Sequence, residues 1–106
     1  MNQTEFDDLA DQILLLVEDT IYDSGVDIDC ENSGGVLTLT CENNGSKIIV
    51  SRQPANFEIW VAARSGGFHL AYDGGFWKCA VTGETLGELL KRVCLEQSGE
   101  ALEFNL

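Results

Sequence analysis

Basic residues are missing from the first 46 positions of this 106-residue chain, in which the first of the six Lys and Arg residues is Lys47. Eleven of the eighteen Asp and Glu residues lie in that same segment, and they account for most of the formal net charge of −12. So acidic a segment would repel the phosphates of nucleic acids and the anionic surface of membranes. We therefore expect no nucleic acid and no membrane as partner, but metal cations or a basic protein surface.

Residues for several common chemistries are also scarce. The only histidine is His69, and the cysteines Cys30, Cys41, Cys79 and Cys94 form no C-x-x-C pair, so a common zinc site is excluded and reduced structural thiols are expected. No G-x-S-x-G motif or phosphate-binding glycine loop occurs, and we do not expect an enzyme. No apolar run approaches the roughly 18 residues of a membrane span, and the acidic N-terminus is unlike a signal peptide, so a cytoplasmic protein is expected.

The segment 4–22 has the spacing of an amphipathic helix, with apolar residues at intervals of three and four. Thr4 with Asp7 resembles an N-terminal capping box, with Asp in place of Glu or Gln, and Gly25 is the expected stop. The predicted buried stripe consists of Phe6, Leu9, Ala10, Ile13, Leu16, Val17, Thr20 and Ile21.

Short segments rich in β-branched and aromatic residues follow, separated by the turn clusters NSGG, ENNG, SGG and DGG. Thr85 and Glu88 then form a capping box for a second helix that ends near Gly99. We predict an α/β two-layer sandwich (α+β) in one domain, 1–106, with two roughly parallel helices on one face of a single antiparallel sheet. The predicted strands are 27–31, 36–42, 47–53, 58–64, 68–72 and 76–81, in the order α-β-β-β-β-β-β-α.

Carboxylates gather on two surfaces of this predicted fold. Asp7, Asp11 and Glu18 fall within roughly 40° on the helix face opposite the apolar stripe, and Asp8 and Asp19 adjoin them. The first strand adds a second row, because every second residue of a strand shares one side. The members of that row are Asp27, Asp29 and Glu31. If both rows lie at one edge of the fold, they form a continuous anionic surface with no local basic residue to neutralise it.

These ligands are hard oxygens, which suit Fe²⁺, Fe³⁺ and other divalent cations such as Mn²⁺, Ca²⁺ or Mg²⁺ and argue against zinc or copper. Exposed carboxylates without a cage predict weak and poorly selective binding. Two unit charges about 7 Å apart in water repel by roughly 0.6 kcal/mol, so many such pairs lower the stability of the fold. A cluster that costs stability indicates that the surface has a function. The alternative is that these acids only keep a small protein soluble.

Several segments resemble bacterial frataxins, the CyaY family: DIDCE at 27–31, GGVLTLTCENNGSKIIVSRQ at 34–53, IW at 59–60 and GGFH at 66–69. The helix segments EFDDLADQ and GETLGELL agree with that family too, and the resemblance spans essentially the whole chain. It implies the frataxin order of elements, with a helix before and after the sheet.

The resemblance also implies ligands and partners. Frataxins bind iron through acids of the first helix and first strand, and they dock on the cysteine desulfurase and the iron-sulfur scaffold complex. The matching acids, called the acidic ridge below, are Asp7, Asp11, Glu18, Asp19, Asp23, Asp27, Asp29 and Glu31. Partner contacts map to Glu18, Asp19 and Asp23 on the ridge and to Arg52, Gln53 and Trp60 on the sheet face.

The chain departs from the family pattern close to this sheet face. Ser51 replaces the usual Asn, Pro54 follows Gln53 directly, and Glu58 stands where a Gln is common. For Trp60 the resemblance favours an exposed side chain, whereas a tryptophan in a strand can equally belong to the core.

Three functions follow from these patterns. The first is a non-enzymatic, iron-binding regulator of iron-sulfur cluster assembly, monomeric unless iron drives oligomers, that docks on the desulfurase through the acidic ridge. The second is an iron chaperone or ferroxidase-like storage protein, although an open ridge lacks the enclosed site of di-iron bundles. The third is a metal-independent interaction domain.

Overall fold

Two helices cover one face of a single six-stranded antiparallel sheet in the computed structural model, which describes residues 1–106. The predicted fold class and element order are confirmed. No helix combines the length and the apolar character needed to span a membrane. The elements are α1 (Gln3–Ser24), β1 (Ile28–Ser33), β2 (Val36–Cys41), β3 (Ser46–Gln53), β4 (Glu58–Ala63), β5 (Gly66–Asp73), β6 (Phe76–Cys79) and α2 (Leu86–Ser98).

Helix α1 begins one residue earlier than its apolar pattern indicates. The predicted capping box at Thr4 and Asp7 is wrong, because Asn2 caps the helix instead. The Asn2 side chain accepts from the backbone N–H of Glu5 at 2.8 Å, and the Glu5 carboxylate accepts from the Asn2 N–H at 3.3 Å. Asn is among the strongest N-cap residues, so it satisfies the free N–H groups before Thr4 is reached. Gly25, with φ of 73°, ends the helix as predicted.

The buried face of α1 differs from the predicted stripe at two leucines. Leu14 is 2% exposed, whereas Leu16 is 46% exposed, and Thr20 is only half-buried. The buried arc is centred near Ala10 and Val17, and at 100° per residue Leu16 lies about 110° from that centre while Leu14 lies about 50° from it. Leu16 therefore borders a groove between the helices instead of entering the core.

The sheet is a pure meander, with strands in the order β1-β2-β3-β4-β5-β6. Every second residue points to the helices, as shown by Leu37 and Leu39 of β2, both fully buried, and by Ile48 and Val50 of β3. The other face of the sheet, called the outer face below, is open to solvent. The predicted strands are confirmed in number and order; β1 is shifted to Ile28–Ser33 and the last strand ends at Cys79, not at 81.

Helix α2 opens with the predicted Thr85–Glu88 capping box and ends at Gly99, with φ of 75°. The C-terminal segment then folds back over α2 and buries Leu102 and Phe104, which no sequence pattern indicated. This packing explains the glycine inside the helix, because a Cβ on Gly87 would come within 2.6 Å of the Phe104 carbonyl oxygen.

Candidate functional site

The helix acids of the ridge lie outside the buried face of α1, and two of them, Asp11 and Glu18, lie on the flank of the helix beside the sheet. Asp11, Asp19 and Asp23 are exposed, as is the adjoining Asp8, and Asp7 and Glu18 are partly buried. None of these carboxylates except that of Asp11 forms an ion pair. The predicted helix row is therefore present in the structure and is almost uncompensated.

The strand acids of the ridge lie at the same edge but on the other face. Strand β1 pairs only with β2, so it is an edge strand, and α1 packs beside it. Ile28 and Cys30 point toward the helices, whereas Asp29 and Glu31 are exposed on the outer face. Asp27 is exposed just before the strand. The two rows therefore do not form one flat surface but wrap around the edge of the sheet.

Cys30 sits between the two rows. Its thiol has a pKa raised to about 12, first by burial and then by the negative charges of Glu18 and Asp29. The charges of Glu18 on the helix and of Asp29 on the strand thus both raise the pKa of the Cys30 thiol, so the helix row and the strand row meet at this residue. Without a metal the thiol is therefore protonated at neutral pH, and the charged groups at this edge are the carboxylates.

Arg52 contradicts the expectation of an entirely uncompensated ridge. Its Nη1 forms an ion pair with the Asp11 carboxylate, across a groove of about 300 Å³ that Leu15 and Glu18 also line. The guanidinium passes over Gly35, where a Cβ would meet Arg52 Nε at 2.8 Å. Arg52 therefore does not share the outer face with Gln53 and Trp60, because adjacent residues of a strand point to opposite faces, and its contact with a partner stays a prediction.

No group of three His, Cys, Asp or Glu side chains converges as a preformed metal site anywhere in the described residues 1–106. A cation at the ridge would therefore be held by one or two carboxylates and complete its shell with water. Hard cations accept such mixed carboxylate and water ligation, since they bind oxygen and tolerate retained waters. The donor set thus fits iron or another oxygen-preferring cation, at low affinity.

Trp60 lies on the outer face, partly buried, and is not a core residue. Its indole stacks on the imidazole of His69, with ring centroids 4.3 Å apart and planes 7° from parallel. Its Nε1–H donates to Glu58 Oε1 at 2.9 Å, and the same oxygen lies 3.9 Å from His69 Nδ1. Gln53, which pairs with Glu58, shares this face. The core role belongs instead to Trp77, which is 3% exposed.

The sequence-based prediction did not identify Glu58 and His69 as the neighbours of Trp60 on this surface. Glu58 could have been found, because a residue two positions before Trp60 shares its side of the strand. His69 could not, because its place opposite Trp60 depends on the register between β4 and β5.

Comparison with known proteins gives one consistent assignment. The family model for the frataxin-like domain matches residues 1–100. The chain is 55% identical to the iron-sulfur cluster assembly protein CyaY of Stutzerimonas stutzeri and 52% identical to that of Azotobacter vinelandii, with 98% of this chain and 96% of each relative covered.

Solved structures agree with the sequence comparison. The frataxin of Psychromonas ingrahamii superposes with a TM-score of 0.93 at 35% identity, and the match covers 100% of both chains. Yeast frataxin from Saccharomyces cerevisiae, a trimer complexed with ferrous iron, superposes with a TM-score of 0.67 at 28% identity, covering 91% of this chain and 87% of that one. On its fold and on its sequence, this chain is a member of the frataxin family and belongs to the bacterial CyaY group.

Proposed function

We propose that this protein regulates iron-sulfur cluster assembly without catalysing a reaction, by docking its acidic ridge on the cysteine desulfurase. The observation that carries the proposal is the ridge itself, eight carboxylates around one edge with a single compensating ion pair, Arg52 to Asp11. Relatives at about half identity are named as iron-sulfur cluster assembly proteins, which supports the same process for this chain.

The charge distribution supports docking on a basic protein surface. A one-sided negative field raises the rate of encounter with a basic surface and makes association sensitive to salt. Glu18, Asp19 and Asp23 occupy the last turns of α1, and the helix has no basic residue in its last turn to shield them. We expect these three to contribute more to docking than Asp11, whose charge Arg52 already neutralises.

Iron is proposed as a weak ligand of the same ridge, as Fe²⁺ or Fe³⁺, held by exposed oxygen atoms with most of its water shell retained. Bound cations would reduce the negative field, so iron loading and desulfurase docking would be coupled through charge. Because coupling is reciprocal, the desulfurase would lower the affinity of the ridge for iron to the same degree.

A second candidate function is iron storage or ferroxidase-like chemistry. The trimeric, ferrous-bound state of yeast frataxin favours it, because oligomers can enclose iron that a single ridge leaves exposed. A third candidate, a metal-independent interaction domain, would also dock on the desulfurase, and it differs only in that its docking does not depend on bound iron.

The test is a titration of the protein against its cognate cysteine desulfurase, with Fe²⁺ or with chelator, at two salt concentrations, reading affinity and sulfur-transfer turnover together. Salt-sensitive binding with altered turnover is expected, and it should weaken when Glu18, Asp19 and Asp23 are replaced by Lys. Binding that is unchanged by chelator would favour the metal-independent domain. Fast iron oxidation that depends on one or two acids would favour the ferroxidase instead.

A further inference from the structure

A histidine and a carboxylate lie side by side on the outer face, away from the acidic ridge. His69 Nδ1 of β5 and Glu58 Oε1 of β4 are 3.9 Å apart, which is too long for a hydrogen bond. The His69 side chain is 58% exposed and that of Glu58 is 25% exposed, so both can be reached from solvent. An imidazole nitrogen and a carboxylate oxygen are the donors of mixed nitrogen and oxygen metal sites.

The separation of these two atoms is close to that of two ligands of one metal ion. Bonds of about 2.0–2.2 Å to nitrogen and oxygen place two ligands roughly 3.4 Å apart in tetrahedral geometry. The gap of 3.9 Å exceeds that value by about 0.5 Å, which a small rotation of either exposed side chain would close. The register of β4 with β5 places Glu58 opposite Ala71 and His69 opposite Trp60, so the two donors are diagonal neighbours on paired strands.

Trp60 orients both donors. Its indole stacks on the imidazole of His69, with ring centroids 4.3 Å apart and planes 7° from parallel. Its Nε1–H donates to Glu58 Oε1 at 2.9 Å, which leaves the second carboxylate oxygen free to bind a cation. Outer contacts of this kind hold ligating groups in the orientation that a metal needs, and they are a regular part of metal sites.

No basic side chain of the same protein neutralises the carboxylate. Lys78 of β6 lies beyond Ala71 on this face, and it forms no ion pair with Glu58. Gln53, opposite Glu58 on β3, can add an amide oxygen beside the carboxylate. Two converging donors with water in the remaining positions make an open site, unlike the closed sets of three acidic, His or Cys side chains, of which the structure has none.

We propose that Glu58 and His69 bind a divalent transition-metal ion that prefers imidazole, with Cu²⁺ held more tightly than Ni²⁺ and water completing the shell. The site differs from the acidic ridge in its chemistry, because the ridge offers oxygen atoms alone and suits harder cations. The protein would therefore separate cations by class between two surfaces. This inference goes beyond the proposed function and does not depend on docking to the desulfurase.

Paramagnetic ions can locate both surfaces on one protein. Cu²⁺ or Mn²⁺ is added in substoichiometric amounts to the isotope-labelled full chain, and the broadening of each backbone amide resonance is recorded by NMR. Cu²⁺ should broaden the amides of Glu58, Trp60 and His69 before those of α1, whereas Mn²⁺, which prefers oxygen ligands, should broaden the amides of α1 first. Cu²⁺ broadening that is confined to α1 and β1 would overturn the inference.

Two variants remove one donor each and keep the contacts of Trp60. His69→Phe keeps an aromatic ring against the indole, and Glu58→Gln keeps an acceptor for its N–H, so both should melt close to the parent. Quenching of Trp60 fluorescence by Cu²⁺, with Trp77→Phe as background, gives the dissociation constant. Each variant should weaken binding by roughly tenfold or more, because even the loss of an outer contact typically costs about 10–100-fold. Glu18→Gln on the ridge is the control and should leave the constant unchanged.

A gain of affinity tests the same geometry from the other direction. Ala71→His would place a third donor directly opposite Glu58 and on the same side of β5 as His69, and it should tighten Cu²⁺ binding. Lys47→His adds an imidazole to the far end of the outer face and is the matched control. An equal gain from both variants would overturn the inference, as would unchanged binding in His69→Phe and Glu58→Gln, which would leave the two residues as an ordinary surface ion pair.

Discussion

Arg52 of β3 and Asp11 of α1 form an ion pair that joins the sheet to the flank of the helix, over 41 residues of chain. Asp11 is therefore the one ridge acid with a neutralising partner in the same chain. The pair is partly exposed, so its contribution to stability is expected to be below about 1 kcal/mol. Its larger effect concerns which ridge acids are available to partners.

The first prediction compares neutral variants of two ridge acids that line the same groove. Asp11→Asn should change desulfurase affinity less than Glu18→Gln does, because Arg52 already compensates the Asp11 charge. Arg52→Gln should make the ridge more negative and strengthen docking at low salt. Calorimetric titration at two ionic strengths measures both effects, and an Asp11 effect as large as that of Glu18 would contradict the expectation.

The second prediction concerns the cost of the ridge to the fold. Added salt should raise the melting temperature, because screening weakens repulsion among carboxylates on the ridge. Relief of about 1 kcal/mol corresponds to roughly 4–8 °C for a domain of this size. A variant with Asp7, Asp19, Asp23 and Asp29 changed to Asn is the control: it should melt higher in low salt and respond less to added salt. Identical responses of the two proteins would show that ridge repulsion is negligible.

The third prediction follows from the pairing of Glu84 with Arg92, whose two hydrogen bonds both measure 2.9 Å. These bonds hold the pKa of Glu84 below its ordinary value. A carboxyl whose folded pKa is lowered contributes stability that is present above its unfolded pKa and is lost as pH falls through the folded pKa. Glu84→Gln should therefore be less stable than the parent at pH 7, and the difference should shrink in acid.

Urea unfolding of both proteins between pH 7 and pH 3 provides this measurement. Glu96, which lies 3.4 Å from the Arg92 guanidinium, offers the matched control. Because it makes only the longer contact, Glu96→Gln should have a weaker and less pH-dependent effect. A Glu84→Gln difference that stays constant down to pH 3 would exclude the ion pair as its cause.

The fourth prediction tests why α2 contains Gly87. Replacing glycine by alanine in a helix ordinarily stabilises it by about 1 kcal/mol. Here Gly87→Ala should destabilise, by roughly 1–3 kcal/mol, because the added Cβ would overlap the Phe104 carbonyl oxygen. In a chain shortened to end at Leu102, the same substitution should become neutral or stabilising. The four proteins form a cycle, and equal effects of Gly87→Ala in both chain lengths would rule out the proposed contact.

The fifth prediction concerns the orientation of Trp60. Glu58→Ala removes the acceptor of the indole N–H and should increase quenching of Trp60 fluorescence by acrylamide, whereas Glu58→Gln retains an acceptor oxygen and should behave like the parent. The measurement is made with Trp77→Phe as background, so that only one tryptophan emits. Equal behaviour of the Ala and Gln variants would show that this hydrogen bond does not fix the ring.

Local patterns were sufficient to predict most of the fold. Both helices, the Thr85–Glu88 capping box and the alternation along β2 follow from neighbouring residues, and all appear in the structure, although α1 buries Leu14 and not Leu16. The capping error at Thr4 arose where two overlapping signals competed and the stronger N-cap residue, Asn2, prevailed. The buried C-terminal segment had no periodic signal, because its two core residues are held by contacts with α2 and not by a regular element.

The candidate site was predictable in composition but not in geometry. The ridge acids could be assigned to one helix face and to one side of a strand, yet their wrapping around the edge depends on which face of β1 meets α1. The direction of Arg52 could be predicted from Val50, because residues two apart in a strand point to the same face. A motif that groups Arg52 with Gln53 hides this, since adjacent residues point to opposite faces. The stack of Trp60 on His69 requires strand register, which no single segment specifies.

The two edges of the meander differ in whether they are covered. Beyond β6, a bridge between Lys78 and Thr85 covers the end of the sheet, whereas β1 has no neighbour on its far side. An unpaired strand is a template on which another molecule can extend the sheet, and charged side chains are a common defence. Asp29 and Glu31 lie on that strand, so two of the carboxylates that we propose as ligands for cations and a basic partner would also oppose pairing between the edge strands of two copies. Neutralising these carboxylates together would leave an unprotected edge strand that can pair with another copy. Self-association would then accompany the loss of docking on the desulfurase.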